Sequence, residues 1–227
     1  MLEGLSSWFQ QLDFSWLLDT GMIVVASLLC IMIHEICHGL AALALGDDTA
    51  KSQGRLSLNP IRHIDPIGLV MMAVARFGWA KPVAVNPFRF RNPKLGMALT
   101  ALAGPVSNVI LALLALIIRA VLFGMYLTSS EPAIEYLILF FEYVAVLSAG
   151  LAVFNLFPIP PLDGSKILFA FLPDKAYEVL MRYERYGVIL LAVVLISGIL
   201  DEPLINLRSG LLDGLASLTM PFFTLFL

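Results

Sequence analysis

Residues 21–45 read GMIVVASLLCIMIHEICHGLAALAL, which is apolar at almost every position and carries one formally charged residue, Glu35. The stretch exceeds the roughly 20 residues that a helix needs to cross the hydrocarbon core of a bilayer. An ionisable residue at the centre of such a helix costs roughly 2.5 to 3.5 kcal/mol on insertion scales, so its presence indicates a function. The sequence therefore predicts a membrane-spanning helix that carries a functional site.

The pentapeptide HEICH at residues 34–38 has the spacing of a metal site. Residues four apart lie on the same face of an α-helix, so the rings of His34 and His38 can reach one ion. Glu35 points about 100° away from His34, beside that ion. In many metallopeptidases that carry this pattern, the two histidines bind Zn²⁺ and the glutamate accepts a proton from the metal-bound water. A chance match is the alternative, and the cost of burying three polar side chains in lipid argues against it.

The composition of the whole chain is that of an integral membrane protein. Of its 227 residues, 59% are hydrophobic and 14% are charged, against about 25% charged in a soluble domain. Further apolar runs occur at residues 95–118, 136–157, 187–200 and 214–227, with a shorter one at 64–77. These runs predict an all-α polytopic membrane protein with about five to six transmembrane helices and a short membrane-associated strand or re-entrant region. We expect a single membrane-embedded domain over residues 1–227.

The distribution of charge predicts how the chain is oriented in a cell membrane. Residues 1–19 contain three acidic residues and no Lys or Arg, whereas residues 51–94 and 166–185 are rich in both. Cytoplasmic loops carry an excess of Lys and Arg, so both of these regions are expected on the cytoplasmic side. The active site is then expected towards the cytoplasmic side of a multi-pass protein. The lipid bilayer is the expected surrounding, and no nucleic acid partner is expected.

A catalytic zinc site usually has three protein ligands, so the chain must supply another one. The candidates are His63, Asp65, Glu142 and Asp163. His63 and Asp65 lie in a polar loop, where an organising role is an equal alternative. Glu142 is expected near the extracytoplasmic end of its helix, at the wrong depth. Asp163 follows a proline-rich stretch that cannot continue a helix, at the right depth, although capping a following helix is its alternative role.

A set of motifs in a fixed order extends the pattern beyond the two histidines. In chain order the motifs are HEICHG at 34–39, LNP at 58–60, HIDPIG at 63–68, GWAKPV at 78–83, VNP at 85–87, GP at 104–105 with Asn108, and NLFPIPPLDG at 155–164. This ordered set resembles the site-2 protease family of intramembrane zinc metalloproteases, in the compact form without a PDZ module.

The resemblance implies a ligand set and a mechanism. His34, His38 and Asp163 would bind one Zn²⁺ ion, and Glu35 would act as the general base. Asn108 would face the site and help to polarise the scissile carbonyl or to hold the substrate. The implied activity is hydrolysis of peptide bonds within or near transmembrane segments of membrane-protein substrates, as in regulated intramembrane proteolysis. The alternatives are a membrane zinc transporter and a non-proteolytic metal-binding scaffold, but a transporter needs polar residues along a path to both faces.

Residues 81–87, KPVAVNP, alternate as a strand does between two prolines. Such a segment could offer an edge to which an unwound substrate adds as a strand, and an ordinary loop is an equal alternative. The sequence departs from the family pattern at Leu69, where threonine is common, and at Ala84, where proline is frequent.

The two cysteines and Arg119 are expected to have no catalytic role. Cys30 and Cys37 lie about 10 Å apart along one helix, which is too far for a disulfide. Both are expected to pack as small apolar residues, with a place for Cys30 near the metal as the alternative. Arg119 is expected to reach the outer interface of the membrane.

Overall fold

The computed structural model describes residues 15–63, 65, 81–129 and 131–223, and most of these residues are helical. The helices, α1 to α8, are Ser15–Ala44, Thr49–Ser52, Pro93–Ser129, Pro132–Asn155, Asp163–Ala170, Asp174–Tyr183, Gly187–Ile196 and Asp201–Phe223. Short 3₁₀ turns occupy Pro60–Arg62, Pro87–Arg89 and Glu184–Tyr186. The predicted all-α fold class is confirmed.

Three of the described helices, α1, α3 and α4, are long and apolar enough to cross a membrane. Helices α7 and α8 meet at 90° and qualify only as a pair, so the described residues hold three candidate spans, or four if the pair is one broken span. This is fewer than the five to six expected, because the run at 214–227 continues α8 as far as Phe223 and is not a separate helix. Residues 224–227 and, except for Asp65, the run at 64–77 lie outside the described residues.

Helix α3 continues unbroken through Pro105, although proline often breaks or kinks a helix. Proline removes a backbone donor, but in a membrane helix packed by neighbours the freed carbonyl can be satisfied locally. Gly104 and Pro105 are both buried, so this part of α3 lies inside the bundle. The helix therefore carries Asn108 on the same rigid element as residues 93–104.

Helix α4 ends at Asn155, and three prolines at positions 158, 160 and 161 prevent it from continuing. Helix α5 begins at Asp163, and its N-cap residue is Leu162. The alternative role for Asp163, as the cap of a following helix, is therefore not seen. A Cβ at Gly164 would lie 2.1 Å from the carbonyl oxygen of Leu156, so only glycine permits this close turn.

The core of the bundle is built from small side chains on α1, α3 and α4, with Leu215 of α8 packed against them. Small residues let membrane helices approach closely, which replaces the hydrophobic driving force that lipid does not supply. Cys30 is buried in this core with its Sγ 3.6 Å from the carbonyl oxygen of Val144. The expectation that Cys30 packs as a small residue is confirmed.

Residues 81–86 form no strand and run into the 3₁₀ turn at Pro87–Arg89. The loop alternative therefore describes this segment. Carboxylates hold it in place instead of a β-ladder. The N–H of Val83 donates to Glu35 Oε2 at 2.8 Å, and the N–H of Asn86 donates to Asp47 Oδ2 at 2.7 Å.

Candidate metal centre

Three buried side chains from two distant helices converge on one point. Nε2 of His34 and Nε2 of His38 are 3.0 Å apart, and they lie 3.1 and 3.2 Å from Oδ2 of Asp163. His34 is 5% exposed, and His38 and Asp163 are each 8% exposed. The structure thus brings together the two predicted histidines and the favoured third ligand.

The separations of these three atoms fit a zinc ion. Zinc binds nitrogen and oxygen at about 2.0 to 2.2 Å, so two ligand atoms of a tetrahedral site lie roughly 3.3 to 3.5 Å apart. The observed separations of 3.0 to 3.2 Å need only a few tenths of an ångström of expansion. Two imidazole nitrogens and one carboxylate oxygen are also ligands that Zn²⁺ accepts, and three of them leave a fourth position open.

The second nitrogen of the His38 ring is fixed by the backbone of α3. Nδ1 of His38 lies 2.7 Å from the carbonyl oxygen of Thr100, a pure acceptor, so Nδ1 carries the proton. In the neutral ring this leaves the lone pair of Nε2 pointing at the other two ligands. A backbone carbonyl holding a metal-binding histidine in this way also sets the orientation of the ring.

Asn108 holds the ring of His34 from the other side. Nδ2 of its side-chain amide lies 3.2 Å from Nδ1 of His34, and the residue is completely buried. A neutral His34 that offers Nε2 to a metal carries its proton on Nδ1, so in that form the amide is turned by 180° and its Oδ1, which has no partner among the described residues, accepts the hydrogen bond. The resemblance implied that Asn108 faces the site, and it does so through the ring of His34.

Gly104 allows α3 to approach both rings. A Cβ at this position would lie 2.4 Å from Cε1 of His38 and 2.6 Å from Cε1 of His34, far inside contact distance. Thr100, Gly104 and Asn108 are four residues apart, so they share one face of α3. That face packs against the face of α1 that carries His34 and His38.

Glu35 lies in a cavity of about 440 Å³ beside the three ligands. Its Oε2 accepts the Val83 N–H, which leaves Oε1 without a partner among the described residues. The other lining side chains that can form hydrogen bonds or ion pairs are Thr100, Asn155, Lys166 and Glu184. The cavity therefore brings a carboxylate and a water-accessible space next to the predicted metal ligands.

Asp47 fastens the end of α1 to the segment at 81–87. It is fully buried, and burial by itself would raise its pKa. The N–H of Asn86, the hydroxyl and N–H of Thr49, and the charge of Arg89 more than offset this, so the pKa of Asp47 lies below its usual range. The carboxylate stays ionised and holds the loop that forms one wall of the cavity.

The other sequence candidates lie outside the cluster. His63 is buried and its Nε2 lies 2.8 Å from the carbonyl oxygen of Ser57, so it organises the loop. Asp65 is not part of the ligand group either. Glu142 accepts a hydrogen bond from Arg119 Nε at 2.9 Å, which joins α4 to α3. Arg119 was expected only to reach the outer interface, and its pairing with Glu142 was not foreseen.

An ion pair in the cavity was missed by the sequence reasoning. Lys166 Nζ lies 3.7 Å from Glu184 Oε1, and both side chains line the cavity. Lys166 stands three residues after Asp163 on α5, and this spacing alone could have placed it on the same face as the ligand. No comparable signal marked Glu184, which reaches the cavity from the turn at Glu184–Tyr186.

Comparison with known proteins places this chain in a family. A family model described as Peptidase family M50 matches residues 123–198. A Bacillus subtilis protein named "Putative zinc metalloprotease YwhC" is 38% identical over 178 residues, covering 77% of this chain and 80% of that protein. A Mycolicibacterium smegmatis protein named "Putative zinc metalloprotease Rip2" is 27% identical over 185 residues, covering 80% of this chain and 69% of that protein. Its namesake in Mycobacterium tuberculosis is 29% identical over 184 residues, covering 79% and 68%. No solved structure gives a significant match.

A helical membrane fold with a buried His-His-Asp cluster defines a class of membrane-embedded metalloenzymes. The chain belongs to peptidase family M50, the site-2 protease family. It is an intramembrane zinc metalloprotease, and zinc is its cofactor. Nothing in the comparisons supports a transporter or a non-proteolytic scaffold.

Proposed function

We propose that His34, His38 and Asp163 hold one Zn²⁺ ion and that Glu35 is the general base of peptide hydrolysis. The main support is that the three ligand atoms converge, 3.0 to 3.2 Å apart, beside the cavity that Glu35 lines. When bound there, Zn²⁺ supplies Lewis-acid chemistry that polarises a peptide carbonyl and makes water more acidic. Glu35 accepts the proton of the attacking water at Oε1, because Oε2 is engaged by Val83.

Asn108 acts as a positioning residue for His34. It is completely buried behind the ring, so its contact with the reaction runs through Nδ1 of His34. The carbonyl of Thr100 does the same for His38. The Thr100 contact favours the tautomer of His38 in which Nε2 is free to bind the metal, and Asn108 does the same for His34 when its Oδ1 faces Nδ1.

The substrates are transmembrane segments of other membrane proteins. Site-2 proteases act on membrane proteins in general, and the ligands of this chain lie on a span and beside the end of another. A helical substrate hides its amides in internal hydrogen bonds, so the bond to be cut must unwind before it enters the cavity. The wall at residues 81–86 is not helical and contacts Glu35 through the N–H of Val83, which suits it to receive such a segment. We assign the whole chain, residues 1–227, to this one domain.

The cavity opens towards the cytoplasm of the cell. The support is the positive-inside rule, since Lys and Arg cluster between α1 and α3 and again between α4 and α7. A cysteine placed at Lys175 of α6 should react with a membrane-impermeant thiol reagent only in inverted vesicles. Reaction in intact cells would show that Lys175 faces the outside and would contradict the proposed orientation.

Cleavage of a single-span substrate in vesicles tests the assignment. Glu35→Gln should lower the cleavage rate by about 10² to 10⁴, the usual contribution of a general base, and should keep zinc bound. Asp163→Ala should lose both zinc and cleavage, while Glu135→Gln, an exposed acid in the first turn of α4, should change neither. Cleavage by Glu35→Gln at the wild-type rate would exclude Glu35, and full zinc content in Asp163→Ala would remove Asp163 from the ligand set.

A further inference from the structure

A second cavity, away from the metal centre, is lined by positive charge. It is an open recess of about 490 Å³ between the turn that follows α2 and the start of the segment at 81–87. We name it the basic recess, and it is lined by Gln53, Arg55, Ile61, Arg62 and Lys81. Three of its five lining side chains are cations, and none is acidic.

The cations of the basic recess have no acidic partner in the part of the chain that the structure describes. Within the described part of the chain, no carboxylate forms an ion pair with Arg55, Arg62 or Lys81. Other cations of the same loop are paired, since Arg89 contacts Asp48. Three unpaired cations around one recess repel each other, and a bound anion would relieve that repulsion.

The two guanidinium groups are held in place before any ligand arrives. Arg55 Nη1 donates to the carbonyl of Arg62, and Arg62 Nη1 donates to the carbonyl of Gly54 at 2.8 Å. Gly54 has a φ of +64°, and a Cβ there would lie 2.7 Å from Arg62 Nη1, so glycine makes this arrangement possible. These bonds use one donor of each guanidinium and leave others for phosphate oxygens, to which arginine is well suited.

The recess belongs to a loop that packs against the last part of candidate span α1. Leu56, in the same loop, packs against the last part of spanning helix α1, where a Cβ at Gly39 would lie 2.5 Å from Leu56 Cδ2. Ile61, which lines the recess, is 75% exposed, and Leu58 is 76% exposed. Exposed apolar side chains next to cations, at the end of a spanning helix, are typical of a contact with anionic lipid.

We propose that the basic recess binds the phosphate headgroup of an anionic phospholipid, with Arg55, Arg62 and Lys81 as its ligands and Leu58 and Ile61 in the acyl region. The site also has a route to the catalytic cavity. The N–H of Lys81 donates to the carbonyl of His63 at 2.9 Å, and Val83, two residues further on, contacts Glu35. A lipid that holds Lys81 is therefore bound at the start of the segment that forms this wall of the cavity.

The test is lipid binding to the purified full-length protein in detergent, followed by native mass spectrometry with phosphatidylglycerol and with phosphatidylcholine. The wild type should bind phosphatidylglycerol more tightly than phosphatidylcholine. Lys81→Gln should weaken phosphatidylglycerol binding about fivefold, the effect of one cation near a membrane surface. Lys81→Arg should keep it. Lys81 is the informative position because its side chain forms no hydrogen bond or ion pair with the described residues, so its loss does not disturb the turn.

Lys51→Gln is the matched control, because Lys51 is exposed on the adjacent helix α2 and does not line the recess. Equal weakening by Lys51→Gln and Lys81→Gln would show general surface attraction and overturn the proposal. Equal affinity of the wild type for both lipids would overturn it too. Displacement of phosphatidylglycerol by millimolar inorganic phosphate would mean a site for free phosphate and not for lipid. The binding readout needs no catalysis, so it stands apart from the assignment of the protease residues.

Discussion

At the scale of single residues, the metal centre depends on a face of α3 that contains no metal ligand. Thr100 orients His38 through its backbone carbonyl, and Asn108 orients His34 through its amide. Gly104 stands between them and leaves the space that the two rings occupy. Three residues of α3, spaced four apart, therefore fix the two histidines of α1. Thr100 contacts His38, Asn108 contacts His34, and Gly104 leaves room for both rings.

Gly104→Ala should disrupt this arrangement. The added methyl would overlap both rings, and since they are already held from behind, they must tilt away from Asp163 or α3 must move. Overpacking of this kind costs about 1 to 3 kcal/mol, so we expect zinc affinity to fall roughly 10- to 100-fold and cleavage to fall with it.

Zinc content after dialysis against buffered zinc measures the effect. Gly210→Ala on α8 is the matched control, because a Cβ there meets no atom within 4 Å. Wild-type zinc affinity in Gly104→Ala would show that α3 does not set the ring positions.

At the scale of elements, the segment at 81–87 is attached to α1 by acids and not by strand pairing. Glu35 holds one end through Val83, and Asp47 holds the other through Asn86. The proposed general base thus also anchors the wall of its own cavity. A substitution in this wall should therefore lower the rate of catalysis and leave metal binding largely unchanged.

Val83→Pro removes the N–H that Glu35 accepts and leaves the carboxylate in place. A hydrogen bond to a charged group contributes about 1.5 to 3 kcal/mol, so if it orients Glu35 for proton transfer, kcat should fall roughly 10- to 100-fold. Zinc content should not change, because His34, His38 and Asp163 are untouched.

Ala84→Pro is the control for the effect of proline in this segment. The structure shows no hydrogen bond from the N–H of Ala84 to any described residue, and proline is frequent at this place in the family. We expect it to keep most of the activity. Equal loss of kcat in both variants would mean that the shape of the loop, and not the Val83 contact, matters.

At the scale of the whole molecule, the metal centre joins parts of the chain that are 129 residues apart. His34 lies on spanning helix α1, while Asp163 opens the short helix α5, which packs against α3. A metal that binds only the folded arrangement stabilises it by mass action. Zinc is thus expected to be a structural link as well as a catalyst.

Removal of zinc by a chelator should therefore lower the Tm of the protein in detergent. At free zinc of 100 times Kd the stabilisation is about 2.7 kcal/mol, which corresponds to a shift of roughly 5 to 10 °C for a chain of this size. Thermal unfolding with and without chelator measures it. Asp163→Ala should start from the lower Tm and should not respond to the chelator. An equal response in that variant would place the stabilising metal elsewhere.

The sequence by itself determined the features that depend on local geometry. The four-residue spacing of His34 and His38 puts both rings on one helix face whatever surrounds them, and the prolines at 158–161 end α4 in any context. The ordered motifs also determined the family. Depth in the membrane and the family motifs favoured Asp163 as the third ligand, and the fold brings it to the histidines. Tertiary structure alone decided that Asn108 contacts the site through the ring of His34 and that the N–H of Val83 meets Glu35. There are two physical reasons. These contacts depend on how closely helices made of small residues pack, which no single segment reveals. Several partners, such as the carbonyl of Thr100 and the N–H of Val83, are also backbone groups, which every residue carries and which therefore leave no mark in the sequence.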